Sequence, residues 1–235
     1  MKIVTNEELI AKRKKLAGRV ATASMILLVG GLVTNCTNLR QPTVNPTTYY
    51  LLLTLLFTGF VAAVISSHLV SRWVKEPRAD QVLAKVLRNF DNNHHLFNYT
   101  TKAPHVLLAP GKLFVISPKN HEGLITCRAN RWKRPFKLRR LFFLGEEALG
   151  NPAYEAQGQA ERLRKFLDKQ ANGLEIPDIQ PVIVFTHPDV KLDIEDPAVP
   201  AMKGSALKEF VRKAGKGTSL TAQQRRQLIK VLSNG

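Results

Sequence analysis

Two stretches of the chain are apolar without interruption. Residues 20–33 read VATASMILLVGGLV, and no charge stands between Arg19 and Arg40. A second run at 49–70, YYLLLTLLFTGFVAAVISSHLV, holds no Asp, Glu, Lys or Arg and a single histidine, His68. As a helix at about 1.5 Å per residue it is about 33 Å long, enough for a hydrocarbon core of about 30 Å. The first run needs its flanks to reach that length, and a cleaved signal peptide is its alternative reading. The expectation is a transmembrane hairpin with spans at 17–38 and 49–71. Residues 1–76, a basic segment plus the hairpin, then form one region and residues 77–235 a second.

After Pro77 the periodicity changes. Val82, Val86 and Phe90 share a stripe with Leu83 and Leu87, which predicts a helix over 80–90 with Asp80 at its cap. Short β-type runs follow at 96–101, 106–109, 113–117 and 124–128, with Pro110-Gly111 turning the second into the third. They read as a meander of three or four strands. Asn151-Pro152 opens a helix over 152–171, with Leu163, Phe166 and Leu167 on one face. A buried-type strand at 179–186 and a short one at 191–194 come next, then a loop at 198–202. Helices over 205–214 and 221–232 start at Ser205 and Thr221. The order predicts an α/β (α+β) domain with a small central sheet flanked by helices.

Charge adds orientation. The chain has 35 Lys and Arg against 18 Asp and Glu, a net +17. Six bases precede the first span, Arg40 alone lies between the spans, and Arg72, Lys75 and Arg78 follow the second. The positive-inside rule then puts the N-terminus and the C-terminal domain in the cytoplasm of a multi-pass cell-membrane protein, with an external turn containing Pro42 and Pro46. Residues 77–235 keep 26 bases against 15 acids, so that domain calls for an acidic partner of its own. Two cysteines, Cys36 and Cys127, exclude a disulfide scaffold and a structural zinc module.

The densest charge is RANRWKRPFKLRR at 128–140, with Trp132 and Phe136 among seven bases. Arg131, Trp132, Lys133, Arg134, Arg139 and Arg140 are the candidates for contact with nucleic acid or another anionic surface. A solvated loop facing lipid, with Trp132 in the core, is the plainer reading. The expected partners are therefore the lipid bilayer and DNA or RNA.

The stretch PHVLLAPGKLFVISPKNHEG at 104–123 resembles the nuclease-related domain known as NERD. The matches are His105-Val106, Pro110-Gly111, Phe114-Val115-Ile116, Lys119-Asn120 and Gly123. Trp132, Asn151-Pro152, Leu163, Leu167 and Val182-Ile183-Val184-Phe185 follow in the family's order. The resemblance implies a fold like that of the PD-(D/E)xK nucleases. There, one carboxylate on each of two adjacent strands holds Mg²⁺, and a lysine two residues after the second acts on the attacking water.

On that resemblance the chain departs from the pattern where the chemistry lies. Pro104 stands at the family's Asp, Ser117 at its Glu, and Lys119 remains as the catalytic remnant; Glu155 stands where the helix often has Gln. The resemblance therefore implies a degenerate, catalytically inactive domain that binds nucleic acid or serves as a scaffold at the cytoplasmic membrane face. No metal ligand and no cofactor are expected. One alternative is a Mg²⁺-dependent nuclease with a relocated carboxylate from Asp80, Glu122 or Glu155. Another is a structural membrane protein with no nucleic-acid role.

Overall fold

The computed structural model describes residues 1–38, 45–135, 148–170, 176–215 and 220–233. Arg40 and Pro42 of the expected turn, and Phe136, Arg139 and Arg140 of the basic stretch, lie outside the described residues. The described residues divide into two units, one within Glu7–Arg78, the other of Met1–Asn6, residues 79–135 and the described residues from Ala148 onward.

The first unit is a helical hairpin. Helix α1 (Glu7–Asn38) begins well before the apolar run, and α2 (Pro46–Trp73) is capped by Asn45, whose Oδ1 accepts from the Thr47 amide at 3.0 Å. The two helices meet on a seven-residue repeat. Ile10, Ala17, Ser24 and Gly31 are buried along α1, and Leu52, Gly59, Ser66 and Trp73 along α2. Small residues let the backbones close. A Cβ on Gly31 would lie 2.9 Å from Leu56 Cδ2, and one on Gly59 3.1 Å from Leu28 Cδ2. Large apolar side chains face outward, Met25, Ile26, Phe57, Phe60 and Ile65 among them. Both helices are long and apolar enough to cross a membrane, and only 17% of each apolar window is buried, unlike a soluble core helix.

The second unit is a mixed α/β fold. Strands β1 (Lys2–Thr5), β2 (His95–Asn98), β3 (His105–Leu108), β4 (Leu113–Lys119), β7 (Ile179–Phe185) and β9 (Ala201–Lys203) form one sheet in the order β1-β2-β3-β4-β7-β9. The antiparallel meander covers β2 to β4, with Ala109 N donating to Lys112 O across the Pro110-Gly111 turn. β1 joins β2 in parallel, and β4, β7 and β9 are parallel. Three strands, not four, make the meander. After Lys119 the chain turns at Gly123 (φ 82°), and β5 (Gly123–Arg128) pairs instead with β6 (Arg131–Lys133) and β8 (Val190–Ile194) in a second sheet.

Helices cover both faces of the larger sheet. Leu83 and Leu87 of α3 (Ala79–Val86) with its following turn, and Leu207 and Val211 of α5 (Gly204–Ala214), pack on Leu107, Phe114, Ile116, Val182 and Val184. The opposite face carries α4 (Pro152–Gln170) and α6 (Ala222–Ser233), whose Leu163, Leu167, Leu228 and Leu232 meet Phe97, Val106, Leu108, Leu113 and Val115. Alternation along each strand separates the two sets.

Local chemistry shifts several boundaries. Helix α3 stops at Val86 rather than Phe90, because Asn89 takes a left-handed turn (φ 74°), and β2 stops at Asn98 because Tyr99 does the same (φ 58°). Ala201 and Met202, expected in a loop, belong to β9, which runs directly into α5. The cap of α5 is therefore Lys203, without a side-chain bond, and not Ser205. Thr221 caps α6 as expected, with Gln224 N donating to its Oγ1 at 3.3 Å and Gln224 Oε1 accepting from its amide at 3.0 Å.

Arg225 of α6 reaches the strand edge, donating to Ala109 O at 3.3 Å and to Asn93 O, and lies 3.4 Å from His95 Nδ1. Burial first, then the charges of Arg225, Lys2, the terminal amino group and His94, hold the His95 pKa below its ordinary 6.5. The unfolded chain takes up this proton on acidification before the folded chain does, so stability present above pH 6.5 is lost as pH falls through the folded value. The melting temperature should therefore drop between pH 7.5 and 5, above the carboxylate range, and His95→Gln should flatten that drop.

Candidate functional site

Ser117 and Lys119 alternate with Pro118 on β4, in phase with Val115, so both point to the face covered by α4. Both are buried, at 2% and 4% exposure. The β3–β4 register pairs Val106 with Val115, and continuing it by two residues brings Pro104 level with Ser117. Ser117 and Lys119 thus share the end of β4, and Pro104 directly precedes the neighbouring strand β3. On the far side β4 pairs with β7, Ser117 opposite Ile183 and Lys119 opposite Phe185, and Thr186 N donates to Lys119 O at 2.9 Å.

The Lys119 ammonium meets Glu155. Its Nζ lies 2.6 Å from Glu155 Oε2, with side-chain exposures of 4% and 42%. Helix α4 delivers this carboxylate through its N-terminal geometry. Asn151 Oδ1 accepts from Tyr154 N at 3.1 Å, Pro152 fills the first turn, and Ala153 and Ala156 let the helix close on Ile183 and Phe185. Gly150, in a left-handed conformation (φ 58°), borders the carboxylate; a Cβ there would sit 3.0 Å from Glu155 Oε1. Sequence reasoning passed over Gly150, although a glycine just ahead of Asn-Pro was its visible signal.

The other acids weighed as relocated ligands lie elsewhere. Asp80 is in the first turn of α3, on the opposite face of the sheet, and Glu122 is half-buried in the β4–β5 turn, its carbonyl accepting from Arg134 Nε at 3.2 Å. A hydroxyl, a proline and one carboxylate already bound to an ammonium do not fit magnesium, which gives up its water only to concentrated anionic oxygen. Among the described residues no group of three His, Cys, Asp or Glu side chains is placed to share a metal. His105 faces away from Lys119, its Nδ1 paired with Asn98 Oδ1 at 2.9 Å, and Asn98 Nδ2 donates to Thr5 Oγ1 of β1 at 3.2 Å.

The basic stretch is sorted by strand alternation. Arg131 and Lys133 of β6 are exposed, while Trp132 between them is half-buried, its ring 6.1 Å from that of Phe185. Arg134 turns inward to Glu122 O and to His121 Nδ1 at 3.5 Å. Arg128 forks onto Asp193 at 2.8 and 2.9 Å and onto Glu195 at 3.1 Å, which raises its pKa. The outer face of the second sheet thus presents Arg131, Lys133 and, from β8, exposed Lys191.

Comparison with known proteins gives one family. The sequence model of the nuclease-related domain (NERD) matches residues 68–186. No curated protein and no solved structure gives a match.

The ion pair makes an asymmetric prediction. Glu155→Gln leaves a buried ammonium without its counter-charge. A fully buried pair loses about 3–5 kcal/mol on such a change, and with Glu155 partly in water the cost should be about 1–3 kcal/mol. Lys119→Met leaves a carboxylate that can turn to solvent and should cost less than about 1 kcal/mol. Denaturant unfolding of both variants checks the order.

Proposed function

The chain belongs to the NERD family, and from that premise we propose a membrane-anchored member whose nuclease-type centre does not cleave and whose α/β unit binds nucleic acid at the cytoplasmic membrane face. The observation that carries the reading is the Lys119–Glu155 contact of 2.6 Å, on the strand that carries Ser117 two residues earlier. A lysine that is to act on a water beside a metal has here a carboxylate of its own chain instead. A second reading makes Glu155 a relocated metal ligand, and against it stands the contact of its carboxylate with the Lys119 ammonium.

Nucleic-acid binding is supported by Arg131, Lys133 and Lys191, exposed on one sheet face without a carboxylate partner among the described residues. Neutral base recognition has no support there, since Trp132 packs inward toward Phe185. The partner is then the phosphate backbone, bound with little sequence preference.

The membrane topology draws support from β1. Lys2 to Thr5 pair with His95 to Asn98, so the segments before α1 and after α2 share one sheet and one compartment. Two crossings meet that condition, and the Lys/Arg asymmetry assigns the compartment to the cytoplasm.

Two measurements test these readings. Duplex DNA affinity should fall linearly with log salt, and Arg131→Gln with Lys133→Gln should reduce the slope by about 2, near 0.9 per phosphate contact. Absence of DNA binding at low salt would favour the purely structural alternative. In a Cys36→Ser background, Thr43→Cys should react with an impermeant thiol reagent in intact cells and Ser205→Cys should not. The reverse pattern would place the α/β unit outside.

A further inference from the structure

A second concentration of positive charge lies on the opposite side of the large sheet, around Phe90. Lys208 Nζ is 5.9 Å and Arg212 Cζ 5.8 Å from the centroid of its ring, and Lys208 also donates to Arg88 O at 3.2 Å. Lys85, Arg88 and Arg212 are exposed. Two cations over one ring repel each other, and the negative face of the ring offsets part of that repulsion. Neighbouring acids are already engaged, Asp91 with His94 and Glu209 with Lys213 at 2.8 Å. Lys85, Arg88, Lys208 and Arg212 have no carboxylate partner among the described residues. The patch joins segments about 120 residues apart, so no run of bases in the sequence announces it.

We propose that this α3–α5 patch docks on anionic lipid headgroups. The proposal rests on the membrane reading above. The tether selects lipid over other polyanions, because Ala79 at the start of α3 is six residues beyond Trp73 at the end of α2. Six residues reach at most about 20 Å, so a short linker holds the patch at high effective concentration near the bilayer. Clustered bases beside a membrane span are the charge pattern that anionic lipid attracts. The faces also divide the work. The cluster that takes in Trp132 of β6 belongs to the α4 side of the sheet, leaving Arg131 and Lys133 available to a second partner while α3 and α5 rest on lipid.

The test uses the full chain in nanodiscs, with a nitroxide at Ser205→Cys in a Cys36→Ser background. Ser205 is exposed on α5, three residues before Lys208. Relaxation by a nickel-chelating headgroup lipid should be several-fold stronger in discs with about 30% anionic lipid than in zwitterionic discs, as expected for a surface-potential effect. It should fall to the zwitterionic level in 0.5 M KCl, a second measurement that needs no variant, and in the triple variant Arg88→Glu, Lys208→Glu, Arg212→Glu. Equal relaxation in both disc types overturns the proposal. So does a triple variant that keeps its lipid contact and loses DNA affinity instead, which would assign the patch to nucleic acid. A chain that fails to enter discs contradicts the membrane reading itself and this docking with it, whereas one that enters without anionic dependence overturns the docking alone.

Discussion

Four residues at the start of the chain pair in parallel with four residues at 95–98, and the whole helical hairpin lies between them. This pairing constrains everything else. It makes the hairpin an insertion within the α/β unit rather than an extension ahead of it. The cost of closing so long a segment grows only slowly with its length, and the hairpin's own packing shortens the effective loop. Thr5 is also the outer end of a buried polar chain through Asn98 to His105. A fragment cut at residue 77 would lose β1, leave Asn98 without Thr5, and open the β2 edge to pairing with other chains.

At the other side of the sheet the governing interaction is the Lys119–Glu155 pair. A lysine buried to 4% exposure needs an anion, because an unpaired ammonium in that environment is strongly disfavoured. Strand β4 itself carries no acid, and the anion comes from α4. The helix reaches it because Ala153 and Ala156 allow close approach and Gly150 leaves room for the carboxylate. Ser117 lies two residues before Lys119 on the same face of β4.

Much of this was legible in the sequence, for identifiable reasons. The meander, α4, β7 and the last two helices follow from alternation, a Pro-Gly turn and the Asn-Pro start. The hairpin follows from apolar run length. β1 was not legible, because four residues pairing in parallel with a distant strand leave no local period. The separation of β5 from the meander was also hidden, since alternation reports burial and not partner. Of the site, Lys119, Ser117 and Pro104 came from family resemblance, and Glu155 was one of three acids that the sequence could not rank. Its selection depends on how α4 crosses the end of β4. Trp132 illustrates the same limit: among seven bases it reads as a stacking platform or as core, and β6 alternation turns it inward.

If Lys119 is held by Glu155 and does not act on a metal-bound water, the chain should not cleave DNA. Incubating the full-length protein with supercoiled plasmid in Mg²⁺ or Mn²⁺ tests it most directly. The plasmid should stay supercoiled with the wild-type chain and with Glu155→Gln alike. Nicking that requires the metal and disappears in both Lys119→Met and Glu155→Gln would contradict it, and would make Glu155 a metal ligand in a working nuclease.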